Sequence, residues 1–195
     1  MGGIIGSYFP GRGTMSEENF LRGVAVGRID ERGSAVLRVL KWRGIPTEDD
    51  TRERIRACTS LRVLDSFLEK AFTATEAAEL FTEADGNDAE RDEPDRGALL
   101  AGYYLDQDGY HPLRSGLDFD PGSLAEGPYL RGIQAGRVEE RAVNILCTLE
   151  ARGIPTLARA RERITACTDL DVLHDWFALA LVVSDAEALF AAASD

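Results

Sequence analysis

The chain matches itself when it is displaced by 109 residues, and this constrains its fold more than any local pattern does. Phe20-Leu21-Arg22-Gly23 falls on Tyr129-Leu130-Arg131-Gly132, and Arg43-Gly44-Ile45-Pro46-Thr47 falls on Arg152-Gly153-Ile154-Pro155-Thr156. Arg52-Glu53-Arg54-Ile55 and Ala57-Cys58-Thr59 recur as Arg161-Glu162-Arg163-Ile164 and Ala166-Cys167-Thr168. The register holds without a gap to Leu80-Phe81 and Leu189-Phe190, with 29 of 65 positions identical. That exceeds chance and identifies a duplicated structural unit. It divides the chain into an arm (1–16), a first unit (17–84), a dissimilar middle segment (85–127) and a second unit (128–195). Each unit is small for a domain that must bury its own core, so the expected architecture packs the two together about a pseudo-two-fold axis.

Within each unit the periodicity is helical. Val26, Ile29, Val36, Leu37 and Leu40 recur mostly three or four residues apart among charged residues, and Ile133, Val138, Ile145, Leu146 and Leu149 repeat the stripe. Gly44 and Gly153 supply the left-handed residue that ends a helix, and Pro46 and Pro155 block its continuation. Long helices are thus expected over 21–43 and 130–152. Thr47 with Asp50 reads as a cap for a short helix over 52–57, and Ser60 and Asp169 as caps for a third helix. Thr73 with Glu76 and Ser184 with Glu187 read as capping boxes for a fourth. The fold class is all-α, with one long and three short helices in each unit.

The middle segment has other chemistry. Residues 85–96 are too polar to bury and read as an acidic linker, whereas Ala98 to Leu105 is apolar enough to dock on a helical core. Asp108-Gly109 suggests a turn, hence a small hairpin, before Tyr110-His111-Pro112. Met15 offers a second start. A net charge of −12 and a sequence pI near 4.7 disfavour a direct nucleic-acid binder, which needs clustered cations. No apolar run has the ~18 residues of a membrane span, and no leader pattern follows Met1, so the expectation is a cytoplasmic protein without membrane contact. Cys58, Cys147 and Cys167 form neither a CxxC nor a disulfide framework, which fits a reducing compartment.

Candidate chemistry is sparse. His174 aligns with Asp65 and reads as a surface helix residue, and His111 sits beside Pro112 in a turn. Cys58 and Cys167 sit at equivalent helix ends among apolar neighbours and read as packing residues. Gly27 to Ser34 lacks the lysine and the preceding strand of a phosphate loop, and Asp106-Gln107-Asp108-Gly109 lacks the later ligands of a calcium loop. Asp118 and Asp120 have no marked acid or base partner. Arg52, Arg54 and Arg56 read as a solvated face with intrahelical ion pairs. The expectation is therefore no catalytic, metal or cofactor residue.

The glycines are more informative. Gly23 and Gly27 stand four apart on the first long helix, as do Gly132 and Gly136 on its counterpart. Glycine inside a helix costs about 1 kcal/mol relative to alanine, and close approach of two helix backbones would justify the cost. Frayed or later-starting helices would also accommodate it. Divergence between the copies marks a second candidate surface. Lys70 to Ala74 becomes Leu179-Ala180-Leu181-Val182-Val183, and Trp42 becomes Ala151. The candidate interface is thus Gly23, Gly27, Gly132, Gly136, Leu179, Leu181, Val182 and Val183, with burial of the second group against the middle segment as the competing reading.

The pattern Arg-Gly-x-x-x-Gly-Arg, then Val-Leu-Arg-Val-Leu-x-x-Arg-Gly-Ile-Pro, then Arg-Glu-Arg-Ile-x-Ala-Cys-Thr, resembles the C-terminal tail of Rpn-type recombination-promoting nucleases (putative transposases) of high-GC actinobacteria. Both units carry this resemblance. It implies a helical tail without catalytic residues, normally preceded by a nuclease core of the PD-(D/E)xK kind. This chain has only Lys41 and Lys70, both within the first unit, so the lysine such a core requires has no place here. The resulting expectation is a non-enzymatic interaction or assembly module that self-associates or caps a partner carrying the same tail. The alternative is an enzyme whose site lies between the units or in the middle segment, where Tyr103, Tyr104, Tyr110, His111 and Asp118 gather.

Overall fold

The long apolar stripes and the glycine stops shape the chain as a repeated helical hairpin-like unit. The computed structural model describes residues 15–82, 105–106, 109–110 and 126–193. The first unit consists of α1 (Met15–Trp42), α2 (Asp49–Ala57), α3 (Leu61–Ala71) and a 3-10 turn (Ala77–Phe81). The second consists of α4 (Glu126–Ala151), α5 (Ala158–Ala166), α6 (Leu170–Ala180) and a 3-10 turn (Glu187–Ala193). Between them, β1 (Leu105–Asp106) and β2 (Gly109–Tyr110) pair antiparallel, Leu105 opposite Tyr110, where the Asp108-Gly109 signal suggests a hairpin. The other described residues are helices and the turns that join them.

The same local chemistry ends both long helices. Gly44 and Gly153 adopt φ of +73° and +68°, a left-handed conformation that glycine enters without a Cβ clash. This lets the Ile45 N–H donate to the Leu40 carbonyl and the Gly44 N–H to that of Lys41, and Ile154 and Gly153 repeat both bonds to Leu149 and Glu150. The residues that close these turns, Ile45 with Leu40 and Ile154 with Leu149, are all buried. Arg43 then donates from Nη1 to the carbonyls of Ala71 and Ala74, and Arg152 to those of Ala180 and Val183, capping the ends of α3 and α6. The Arg-Gly-Ile motif therefore both ends the long helix and ties it to the third.

Several local expectations shift by a few residues. Helices α1 and α4 begin well before residues 21 and 130, so Met15 and Ser16 belong to α1 and not to the arm. Helix α2 begins at Asp49 and not at Arg52. Its N-cap is Glu48 without a side-chain bond, while the Thr47 hydroxyl instead accepts from Arg52 Nε. Ser60 and Asp169 do cap α3 and α6, accepting from Val63 and from Asp171 and Val172. The Thr73–Glu76 box is replaced by one between Glu76 and Glu79, because Thr73 bonds back to the Lys70 carbonyl. Near the expected Ser184–Glu187 box, it is the Asp185 carboxylate that accepts from the Ala188 N–H.

Each unit packs its short helices on its own long one. Val36, Leu40, Ile55, Leu64, Leu68 and Leu80 form the fully buried part of the first unit, and Ile145, Leu149, Ile164, Leu173, Phe177 and Leu189 their counterparts in the second. Together they belong to one buried cluster that runs through both units; edge-to-face ring pairs, Phe67 with Phe81 and Trp176 with Phe190, flank it, and Arg54 and Arg163 lie over the outer ring of each. Burial of this kind is the main source of stability in a helical fold. The two units then meet along α1 and α4.

Candidate interaction interface

The seam between α1 and α4 is built on the four glycines. A Cβ placed on Gly23 would fall on the Tyr129 carbonyl oxygen and within 3.0 Å of Ile133 N and Gly132 Cα. One on Gly27 would strike the Ile133 carbonyl, one on Gly132 the Phe20 carbonyl and one on Gly136 the Val24 carbonyl. The helices therefore touch backbone to backbone, which is the close approach that four costly glycines permit; fraying does not account for them. The contacts are reciprocal, since Gly23 meets Gly132 and Tyr129 while Gly132 meets Gly23 and Phe20. Contacting residues advance together from 23 with 132, through 31 with 141, to Trp42 with Arg152, so the helices run parallel and in register.

One turn beyond the glycines, charge replaces backbone contact. Glu140 is fully buried and accepts from Arg28 Nε at 3.0 Å and from Arg32. Glu31, 4% exposed, receives both Nε and Nη2 of Arg141 at 2.7 Å, a bidentate pair. The two pairs cross the seam in opposite directions, Glu31 to Arg141 and Arg32 to Glu140. Arg141 also donates to the Leu170 carbonyl, and Arg32 reaches Asp65 on α3, so each crossing is tied to its own unit. Around them, Arg137 pairs with Asp30 at 3.5 Å, and Arg38 lies 3.9 Å from Glu31 and over the Phe177 ring.

The environment perturbs several groups. Burial pushes the Asp65 carboxyl above its usual range; Arg32 opposes this and Glu140 adds to it. Burial also raises the Cys147 thiol, which favours the protonated sulfur, and Arg32 acts in the opposite direction. Asn144 is fully buried on α4, where the first unit has Ala35, and neither atom of its amide has a hydrogen-bond partner among the described residues.

The sequence-derived candidates separate into two groups. Gly23, Gly27, Gly132 and Gly136 come together, but in a seam inside the chain and not on a free surface. Leu181 is 6% exposed and belongs to the core, between the Ala180 and Val183 carbonyls that accept from Arg152; it is not a surface contact. Leu179 and Val183 are half-buried against that core, and of this group only Val182 is exposed. His174 is exposed on α6, as expected. Cys58 and Cys167 are half-buried, each directing its thiol to the carbonyl two residues on. Arg52 pairs with Asp49 at 3.0 Å on an exposed face. Tyr103, Tyr104, His111, Asp118 and Asp120 lie outside the described residues.

Sequence reasoning missed the crossed Glu–Arg pairs, although a signal was present. Glu31-Arg32 and Glu140-Arg141 are identical in the two copies and stand four residues beyond Gly27 and Gly136 on one helix face. Among the described residues no His, Cys, Asp or Glu cluster of metal-binding geometry occurs, and no helix is long and apolar enough to cross a membrane. Comparison with protein-family models, with curated proteins and with solved structures finds no match.

Proposed function

We propose that this protein is a non-enzymatic helical interaction module that regulates or caps a partner carrying the same unit, acting in the cytoplasm without direct contact to nucleic acid or membrane. The observation that carries this reading is the reciprocal seam. A surface in which Gly23 meets Gly132 and Gly132 meets Gly23 has the self-complementarity of an isologous dimer, here held within one polypeptide. The unit is a pairing device, and a chain that carries it twice is a preassembled pair of units resembling the Rpn-type tail. Such a pair binds a further copy of the unit by exchange at the seam or at its flanks. The buried crossed charges supply the selectivity, because a mismatched partner leaves a carboxylate uncompensated in the interior.

The test mixes the full chain with a full-length protein ending in the Gly-x-x-x-Gly and Arg-Gly-Ile-Pro elements. Size-exclusion chromatography with light scattering should show a complex that disappears when the partner's paired glycines are replaced by leucine. No complex, or one indifferent to those glycines, would contradict the reading.

A further inference from the structure

We infer that the start of α5, with the exposed apolar side chains around it, docks a partner's peptide segment that carries a carboxylate next to an apolar residue. This surface lies at the opposite end of α4 from the glycines and goes beyond the pairing of the two units.

The two copies differ most tellingly here. At the start of α2, Arg52 donates from Nη1 to the Asp49 carboxylate at 3.0 Å and from Nε to the Thr47 hydroxyl, so that helix supplies its own counter-charge. The second unit keeps the threonine and the arginine as Thr156 and Arg161, but has Leu157-Ala158-Arg159 where the first has Glu48-Asp49-Asp50. Residues 47–52 carry a net charge of −2 and residues 156–161 one of +2, within a chain of −12. Arg159 and Arg161 are exposed, and among the described residues neither has an ion pair or a side-chain hydrogen bond. Glu162, the equivalent of Glu53, is exposed and pairs with neither, whereas Arg163 is engaged over the Phe190 ring. The surface therefore lacks one carboxylate where the first unit holds Asp49. An occupant that supplies it reproduces a charge-assisted pair that the fold already accommodates.

Apolar surface adjoins the missing charge. Leu157 is 68% exposed and stands four residues before Arg161, on the same side of the helix. The last turns of α4 and α6 meet at this end of the unit, because Arg152 holds the Ala180 and Val183 carbonyls; Val182 is exposed between them, and the exposed Trp42 ring lies beside the Arg152 guanidinium. The counterparts of Leu157, Val182 and Trp42 in the other copy are Glu48, Thr73 and Ala151. One end is thus apolar and cationic where its duplicate is acidic and polar. Exposed Trp, Leu and Val beside unpaired arginine make a docking surface, and charge complementarity selects an acidic, partly apolar peptide for it. Two free arginines are too few to hold a phosphate backbone.

The test rewrites this turn as its duplicate. The triple variant Leu157→Glu/Ala158→Asp/Arg159→Asp gives α5 the start that α2 already folds with, so it removes the surface and keeps the helix. A fluorescent peptide of alternating Asp-Glu and Leu-Leu steps is titrated with the full chain and followed by anisotropy. Wild type should bind it, and more weakly as salt is raised. The triple variant and Arg161→Ala should each bind about tenfold more weakly or worse, with unchanged circular dichroism, and a peptide with Asn-Gln in place of Asp-Glu should lose as much on wild type. No binding to wild type would overturn the inference, as would equal binding by the triple variant or of the neutral peptide. Two other occupants would overturn it as well. A mass in light scattering that doubles for wild type and not for the triple variant would put a second copy on this surface. Peptide binding that emerges only when the Asp and Glu of residues 85–96 are changed to Asn and Gln would put the chain's own acidic segment there.

Discussion

At the scale of residues, the second unit holds a polar side chain that its environment does not satisfy. Asn144 occupies the position of Ala35, fully buried, with both amide atoms unpartnered among the described residues. An unmade hydrogen bond on a buried group costs about 1–3 kcal/mol, which outweighs the small loss of packing when the amide is removed. Asn144→Ala should therefore raise the stability by about 1 kcal/mol in urea denaturation; a loss of similar size would show that the amide is satisfied. Asp65 makes a different prediction. Its folded-state carboxyl titrates above the ordinary 3.8, so the folded form binds its proton more tightly than the unfolded form does. The corresponding stabilisation is present below that value and is lost as the pH rises through the raised folded value. Asp65→Asn removes this dependence, and relative to wild type the variant should be more stable at about pH 7 than at about pH 3.5. A difference of opposite sign would mean that the ion pair with Arg32 outweighs burial.

At the scale of elements, the glycine seam governs whether the two long helices can meet. Any side chain at Gly27 collides with the Ile133 carbonyl, and backbone cannot yield as a flexible side chain does. Gly27→Leu should cost at least ~3 kcal/mol and lower the unfolding midpoint sharply. The same change at Gly44 costs through its left-handed φ but leaves the seam intact, so only the first should loosen the pairing, as hydrogen exchange along α1 and α4 will report. Much at this scale is legible in the sequence. The helix periods, the glycine stops and the caps at Ser60 and Asp169 all depend on short-range chemistry written in adjacent residues. The glycine spacing points to the seam for the same reason. The Glu31–Arg141 and Arg32–Glu140 crossings show in the sequence only as a repeated Glu-Arg pair; their burial does not, since charged residues on a helix normally face water and burial depends on a partner more than 100 residues away. Leu181 misleads for the mirror-image reason: an apolar side chain looks exposed until the Arg152 tie to α6 is known.

At the scale of the whole molecule, two helical units are joined along parallel, in-register helices, with the acidic character concentrated elsewhere. Residues 83–125 contain eleven Asp and Glu against three Arg, a balance of −8 out of the chain's −12. The paired units are thus close to neutral, and the forces that hold them are packing and specific buried pairs instead of a general field. The parallel pairing of α1 and α4 is open to a distance measurement. With Cys58, Cys147 and Cys167 replaced, spin labels at the exposed positions Lys41 and Glu150, in the last turns of α1 and α4, can be compared with labels at Lys41 and Leu130. Paired helices lie about 8–10 Å apart in general, whereas about 20 helical residues span ~30 Å. Pulsed electron resonance should find the Lys41–Glu150 labels close and the Lys41–Leu130 labels farther apart by about 20 Å or more. Close labels at Lys41 and Leu130 with distant labels at Lys41 and Glu150 would mean an antiparallel pair and would contradict the account.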